Sequence, residues 1–377
     1  MKRHERWRAL WRSPRLAWDV LARGRYDFTY DLMPVSARQM SLAKRLNLFK
    51  SGANLLHRNL DPWSWPLHMN LEITNYCNLR CPVCPTGSGK VNRPRAAMDV
   101  DLFERLMDEV GPYLLTASLW AWGEPLLHPR LADLLRIIER HDVVPLISTN
   151  GQNLCNEAVI DALVSHPPGY LIVAIDGLTD ETNSKYRVGA ALEPAKEGVR
   201  RLSELKRERG LELPVLHMRY LAMKHNEHEI EHVREFARST GFDLLTIRTL
   251  VVVDSPGEEH REFVPDASHL RAYDYVNGER VLRDDFICYW PFWFPTSLVD
   301  GTIVGCDQDS NAQRPLGVLS EDVSFADIWS GEEATHVRRQ IRDDPDSLSF
   351  CRNCPYTHHR AETLAIEAFD LSSGASP

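Results

Sequence analysis

Between residues 67 and 249 the sequence alternates between short, β-branched apolar runs and longer stretches of helical periodicity. The runs predict strands at 69–74, 117–122, 143–148, 171–175, 215–221 and 244–249. The stretches between them predict helices at 100–110, 129–140, 157–165, 193–209 and 227–240. Strands that alternate with helices form right-handed βαβ units in a parallel sheet. Six units are too few for a closed eight-stranded barrel, so we predict an α/β fold built on a partial (β/α)6 TIM-like barrel.

The barrel divides the chain into three predicted segments: an N-terminal helical extension over 1–66, the barrel over 67–254, and a small C-terminal domain over 255–377. Residues 1–60 carry a net charge of +9 although the whole chain carries −9. In this extension, Trp7, Leu10, Trp11, Trp18 and Leu21 recur at roughly helical spacing among arginines. Such a basic amphipathic segment either packs on the acidic body of its own chain or contacts a membrane surface or a partner protein.

The composition limits where the protein works and what it binds. The sequence has no apolar run of eighteen residues and no signal-peptide pattern, so we expect a cytoplasmic protein. In a reducing compartment, eight cysteines are more typical of metal ligands than of disulfides. We expect no nucleic-acid partner, because the acidic remainder of the chain would repel a phosphate backbone.

Three cysteines follow the first predicted strand within eight residues. Cys77, Cys81 and Cys84 have the spacing C-x3-C-x2-C. A structural zinc site normally has four protein ligands, and no fourth Cys or His lies nearby in the sequence. The loop therefore predicts an iron–sulfur cluster in which one iron has no protein ligand.

Four further cysteines lie in the C-terminal segment, where helical and strand periodicity fades. Cys288 and Cys306 are followed by Cys351 and Cys354, which form a C-x2-C pair. Four thiolates suffice for a tetrahedral zinc site or for one fully ligated 4Fe–4S cluster. The residues alone leave both possibilities open.

The first cysteine loop and the sequences that follow successive strands resemble those of the radical S-adenosylmethionine (SAM) enzymes. The resemblance implies that SAM binds the open iron of a 4Fe–4S cluster and is cleaved reductively to a 5′-deoxyadenosyl radical, which takes a hydrogen atom from the substrate. Trp122-Gly123-Glu124-Pro125 is similar to the family's Gly-Gly-Glu-Pro sequence, which contacts the amino group of SAM. The same resemblance implies further SAM-binding residues, namely Ser148, Asn150, Asp176, Arg187 and Asn226.

The C-terminal cysteines resemble the SPASM extension of these enzymes through the spacing C-x12-G-x4-C. A full SPASM domain has more cysteines after the C-x2-C pair, whereas none follows Cys354 here. The shorter relative called twitch is more similar, which implies one auxiliary 4Fe–4S cluster held by Cys288, Cys306, Cys351 and Cys354. His358 and His359 are interpreted as surface histidines.

Three residues are candidates for catalysis: Cys155 as a hydrogen-atom donor, and Asp307 or Asp309 as a base. We expect oxidation or dehydrogenation of a sugar, natural product or other small molecule, with the auxiliary cluster as electron acceptor. The alternatives are peptide modification, epimerisation or a non-catalytic electron carrier. The resemblance also implies a flavodoxin or ferredoxin as reductant.

Overall fold

A ten-stranded sheet organises the computed structural model, which describes residues 15–252, 261–277, 279–281, 283, 286–352, 354–359 and 363–372. Six neighbouring strands are parallel and lie in sequence order, which confirms the predicted partial barrel. They are β3 (His68–Leu71), β4 (Thr116–Ser118), β5 (Val144–Thr149), β6 (Tyr170–Ala174), β7 (Val215–Ala222) and β8 (Leu244–Thr249).

Helices follow the parallel strands and bury their apolar faces against the sheet. They are α2 (Val100–Val110), α3 (Leu131–Glu139), α4 (Glu157–Ser165), α5 (Asp180–Tyr186), α6 (Leu192–Arg209) and α7 (Ile230–Thr240). In α2 the spacing of Phe103, Leu106, Met107 and Val110 places all four side chains in the core. Full burial of each such side chain contributes about 1.5–3 kcal/mol.

Two predicted strands end earlier than the sequence suggests. β3 ends at Leu71 and β4 at Ser118, because the chain leaves the sheet to form the loops of the candidate site. The predicted helix at 227–240 begins with a 3₁₀ turn, Glu227–Glu229, before α7. Further 3₁₀ turns lie at Pro125–Leu127, Arg261–Phe263, Ser268–Leu270 and Pro345–Ser347.

The C-terminal segment lengthens the sheet at both edges. β11 (Thr296–Ser297) runs parallel to β3 and is followed outward by the antiparallel strands β12 (Thr302–Val304) and β13 (Pro315–Val318). At the opposite edge β14 (Ala365–Asp370) pairs antiparallel with β8. The remaining elements are β9 (Tyr275–Val276), β10 (Glu279–Arg280), α8 (Trp290–Trp293), α9 (Phe325–Trp329), α10 (Glu332–Asp343), α11 (Ser349–Arg352) and α12 (Pro355–His358).

The N-terminal extension contains a β-hairpin in addition to helix. After a helical stretch over residues 15–21, β1 (Tyr26–Tyr30) and β2 (Met33–Ala37) pair antiparallel and precede α1 (Leu42–His57). Met33 and Val35 are buried in one cluster with side chains of the parallel strands, such as Leu146. The hairpin therefore packs on the body of its own chain.

The predicted positions ahead of residue 15, including Trp7, Leu10 and Trp11, lie outside the described residues. The predicted boundary at residue 254 lies outside them as well, and the division into three segments stays a prediction. Strands of the C-terminal segment belong to the same sheet as the barrel strands, so the predicted boundary does not separate two sheets.

Candidate active site

A cavity of about 220 Å³ lies at the carboxyl ends of the parallel strands. A second cavity of about 200 Å³ adjoins it. Both are lined by Cys84, Trp122, Tyr186, Leu221 and Arg248, so we treat them as two halves of one site. The carboxyl ends of parallel strands are where α/β barrels place their chemistry.

The loop after β3 places its three thiols on the first half of this site. Cys77, Cys81 and Cys84 all line the cavity. The side chain of Asn75 braces the loop by donating to Pro94 O at 2.7 Å and accepting from Ala96 N at 2.8 Å. A glycine is required at 87, because a Cβ there would lie 2.4 Å from the carbonyl oxygen of Cys81.

Burial raises the pKa of all three thiols, that of Cys81 to about 11. Soft thiolates at such a site need a bound cation to hold them deprotonated, as iron does in an iron–sulfur cluster. Three thiols beside an open cavity match a cluster with one iron free for a ligand. The donor set therefore fits the SAM-binding cluster predicted from the sequence.

Glu124 connects the loop after β4 to the end of β5. Its carboxylate is buried and accepts from Thr149 Oγ1 at 2.7 Å, Asn150 N at 2.8 Å and Leu126 N at 3.0 Å. Burial raises the pKa of Glu124, and these donors oppose that rise. The carboxylate lines the cavity with Gly123, where a Cβ would lie 2.0 Å from a backbone oxygen.

Asn150 and Ser148 also line the cavity. The Asn150 amide nitrogen lies 3.5 Å from Cys77 Sγ and donates to Asn78 Oδ1 at 2.8 Å. Asn150 therefore directly joins the end of β5 to the cysteine loop.

Arg187 lines the same cavity, and Asp176 holds it there from behind. Arg187 Nε donates to Asp176 Oδ2 at 2.7 Å, and Asp176 is fully buried. Burial opposes the charge on Arg187, but Asp176 and Cys81 outweigh it and raise the pKa of the guanidinium. This fixed cation lies near the cysteine loop.

Three of the predicted SAM-binding residues do not line the cavity: Pro125, Asp176 and Asn226. Asn226 is fully buried and donates to Asp176 O at 2.9 Å and Leu221 O at 2.8 Å, while it accepts from Met223 N. Asp176 and Asn226 thus form a brace behind Arg187. A direct contact of either with SAM stays a prediction.

The four C-terminal cysteines come from separate segments. Cys288 precedes α8, Cys306 follows β12, Cys351 lies in α11 and Cys354 caps α12. Burial raises the pKa of each thiol, to about 11 for Cys288 and about 12 for Cys354, and neighbouring cysteines raise those of Cys306, Cys351 and Cys354 further. The thiols therefore lie near one another. The predicted surface position of His359 is wrong, because this residue is 5% exposed and its ring packs edge-on against Tyr273.

Within the described ranges, no three His, Cys, Asp or Glu side chains are arranged to hold a single metal ion. The four C-terminal thiols are donors that a fully ligated 4Fe–4S cluster or a tetrahedral zinc ion would use.

The predicted catalytic residues occupy three different settings. Asp307 lines the second half of the site, and its backbone oxygen accepts from Trp122 Nε1 at 2.7 Å. Asp309 is buried and accepts from the backbone of Gln313 and Arg314, so it stabilises a turn. Cys155 is exposed and donates to Gln152 O at 3.5 Å, away from the cavity lining.

The sequence interpretation missed a charged group in the first half of the site. Arg219 on β7 and Arg248 on β8 line the cavity, and Asp31 from the hairpin tip lies between them. Asp31 Oδ2 is 2.7 Å from Arg248 Nε and 3.6 Å from Arg219 Nη2. Arg219 and Arg248 stand within otherwise apolar predicted strands, and this position was the sequence signal that could have identified them as site residues.

Comparison with known proteins agrees with this geometry. Residues 71–237 match the radical SAM superfamily, and residues 288–355 match the SPASM iron–sulfur cluster-binding domain. A Pyrococcus furiosus protein, the tungsten-containing aldehyde ferredoxin oxidoreductase cofactor-modifying protein, is 25% identical over 72% of this chain and 83% of its own length. The mycofactocin maturase MftC of Mycobacterium ulcerans is 24% identical over 81% of this chain and 84% of its own length.

Solved structures show the same fold. SuiB of Streptococcus suis bound to S-adenosylmethionine has a TM-score of 0.59 at 15% identity and covers 80% of this chain and 74% of its own. BtrN in complex with AdoMet and 2-DOIA has a TM-score of 0.51 at 18% identity and covers 81% of this chain and 99% of its own.

The chain belongs to the radical SAM superfamily and carries a SPASM domain. The two domains imply a SAM-binding 4Fe–4S cluster and auxiliary iron–sulfur clusters. The predicted superfamily and cofactor classes are thereby confirmed.

Proposed function

We propose that this radical SAM enzyme oxidises or dehydrogenates an anionic small molecule or carbohydrate, with one auxiliary cluster as electron acceptor. When bound, SAM and its cluster supply a 5′-deoxyadenosyl radical that takes a hydrogen atom from the substrate. Cys77, Cys81 and Cys84 would hold that cluster, and Cys288, Cys306, Cys351 and Cys354 the auxiliary one. The supporting observation is that the cavity beside the first loop adjoins the cavity lined by Asp307, the neighbour of Cys306.

Asp307 is the proposed base in the second half of the site. Net two-electron oxidation of a substrate C–H and O–H pair removes one hydrogen atom, one proton and one electron. Burial raises the pKa of Asp307, which makes its carboxylate a stronger proton acceptor than an exposed aspartate. Trp122 Nε1 donates to the backbone oxygen of this residue at 2.7 Å, and Gln308 Nε2 donates to its carboxylate at 3.4 Å.

The substrate's anionic group binds on the cavity side of Arg219 and Arg248, beside Asp31. The buried Arg219 and the partly buried Arg248 share the single carboxylate of Asp31, which leaves one positive charge without a counterion in the group. Burial and the repulsion from Arg248 lower the pKa of Arg219 to about 10. A carboxylate or phosphate placed there would supply the missing negative charge and accept bidentate hydrogen bonds.

A second candidate function is peptide modification. Two relatives favour it by name, the mycofactocin maturase MftC and the PqqA peptide cyclase of Granulibacter bethesdensis. The cyclase is 26% identical over 77% of this chain. An acidic peptide side chain could use the same two arginines.

The test is deuterium transfer under anaerobic conditions with reconstituted protein, SAM and a reductant such as flavodoxin or ferredoxin. A deuterated cell extract is divided into a small-molecule fraction and a peptide fraction, and 5′-deoxyadenosine is analysed by mass spectrometry. We expect deuterium from the small-molecule fraction. Transfer from the peptide fraction alone would favour peptide modification, and absence of 5′-deoxyadenosine would contradict the enzyme function itself.

A further inference from the structure

Helix α1 exposes three large apolar side chains and buries four polar ones. Leu42, Leu46 and Phe49 are 66%, 49% and 45% exposed and lie at i, i+4 and i+7 on one face. An amphipathic surface helix normally has the reverse arrangement. The opposite, buried face consists of Lys44, Asn47, Ser51 and Asn54, each at most 3% exposed.

Hydrogen bonds fix this inverted orientation. Lys44 Nζ donates to the backbone oxygens of His141 and Asp142, both at 2.7 Å. Asn47 accepts from Trp65 N at 2.8 Å and donates to the oxygen of the same residue at 3.2 Å. Rotating the helix to bury Leu42, Leu46 and Phe49 would leave these polar groups unpaired, which is unfavourable for buried donors and acceptors. The outward apolar face is therefore a built feature of the fold.

The helical stretch over residues 15–21 adds to this surface. Arg45 of α1 donates to Leu21 O at 2.6 Å, which connects the two helices. We define the N-terminal apolar face as the exposed side chains of Trp18, Leu21, Leu42, Leu46 and Phe49. Exposed apolar side chains on two helices joined in this way mark an interaction surface.

The charge of the N-terminal sequence selects the occupant of this face. Residues 1–60 carry a net charge of +9, with Arg15, Arg23, Arg38 and Lys50 among the described basic residues. Residues 1–14 alone contain five Lys or Arg and one acidic residue. Leucine and aromatic side chains beside basic ones match the interface of a bilayer with anionic headgroups. None of the helices in the described part of the chain is long and apolar enough to cross a bilayer.

We propose that the N-terminal apolar face docks the enzyme on an anionic membrane surface. The leucines, Trp18 and Phe49 enter the boundary between headgroups and acyl chains, and the basic residues stay among the phosphates. This inference is independent of the reaction, because the N-terminal apolar face shares no residue with the lining of the candidate active site.

The test is co-sedimentation of the full-length, cluster-reconstituted protein with vesicles. One set contains phosphatidylcholine alone, and the other contains equal parts of phosphatidylcholine and phosphatidylglycerol. The test variant is Leu46→Glu with Phe49→Glu, and the matched control is Val318→Glu, whose valine is 51% exposed on β13. SAM cleavage to 5′-deoxyadenosine is measured in all three proteins as a check of the fold.

We expect binding to the anionic vesicles to be at least about tenfold stronger than to the neutral ones, and to fall at least about tenfold in the double variant. The control variant should bind as the wild type does, and SAM cleavage should be unchanged. Equal vesicle binding by the wild type and the double variant would overturn the proposal. So would absence of vesicle binding together with a dimer that the double variant converts to monomer, since a second copy would then cover the face.

Discussion

The two cysteine groups of this chain differ in how they are built and in what they face. Cys77, Cys81 and Cys84 come from one short loop, and all three line the cavity. The four C-terminal cysteines are gathered from segments spread over Cys288–Cys354, and none of them is among the described residues that line the two cavities. Residues close to them in the sequence, Asp307, Gln308 and Tyr356, line the second cavity instead. The difference indicates a first group that presents its cluster to a ligand and a second that encloses one.

The largest effect should come from a substitution in the first cysteine group, Cys77, Cys81 and Cys84. Replacing Cys81 by Ala removes one of three ligands, and we expect SAM cleavage to fall by roughly a thousandfold or more, because the chemistry belongs to the cofactor. The measurement is 5′-deoxyadenosine formed per minute by anaerobic, reconstituted protein. Cys155→Ala is the matched control and should retain full activity. Equal loss in both variants would show that the assay reports general damage to the protein.

A substitution in the second cysteine group should affect the formation of oxidised product but not SAM cleavage. In the double variant Cys351→Ala with Cys354→Ala we expect iron to fall from about eight to about four per chain, as four-iron clusters require. The variant should still form 5′-deoxyadenosine, whereas oxidised substrate should be lost because the electron acceptor is missing. Unchanged iron content would count against an auxiliary cluster at these cysteines.

A substitution of Arg248 tests whether this residue binds the anionic group of the substrate. For Arg248→Gln we expect the KM for substrate to rise about tenfold to a hundredfold, since a charge-assisted hydrogen bond contributes about 1.5–3 kcal/mol. SAM cleavage without substrate should be unchanged, and Arg248→Lys should recover part of the loss. Arg200→Gln, on the surface of α6, is the control. Weaker SAM binding in Arg248→Gln would assign the arginine to SAM instead.

The role of Asp307 is tested by the pH profile of substrate oxidation. Only its ionised form accepts a proton, and its raised pKa means that this form is lost at a higher pH than for an exposed aspartate. Substrate oxidation should therefore decline on the acid side nearer to neutral pH. Asp307→Asn should remove this limb and lower kcat by about 10²–10⁴-fold at the optimum. An unchanged acid limb in that variant would exclude Asp307 as the base.

Sequence patterns predicted the elements whose burial follows a regular period. The helices at 100–110 and 157–165 and the strand at 244–249 match α2, α4 and β8 residue for residue. Helix α5 was missed because its sequence, DETNSKY, has no apolar periodicity. It is nucleated by the cap at Thr179, whose side chain accepts from Thr182 N.

The parts of the site that were missed depend on contacts distant in sequence. Asp31 contacts Arg219 and Arg248 only because the hairpin β1–β2 packs on the parallel strands. No pattern in the sequence around Asp31 indicates these two partners. Asn226 was assigned from resemblance, but its burial against Asp176 depends on how β7 turns into α7. Local motifs therefore identified the cysteine loop and Glu124. The three-dimensional fold was needed to find the group of Asp31, Arg219 and Arg248 and the burial of Asn226.

The central claim is that the first loop holds the cluster with an open iron, and electron paramagnetic resonance tests it most directly. Two variants are reduced with and without SAM: Cys351→Ala with Cys354→Ala, and Cys77→Ala with Cys81→Ala and Cys84→Ala. We predict that SAM changes the g-values of the first variant and leaves the spectrum of the second unchanged. A SAM-dependent change in the second variant, or none in the first, would contradict the account.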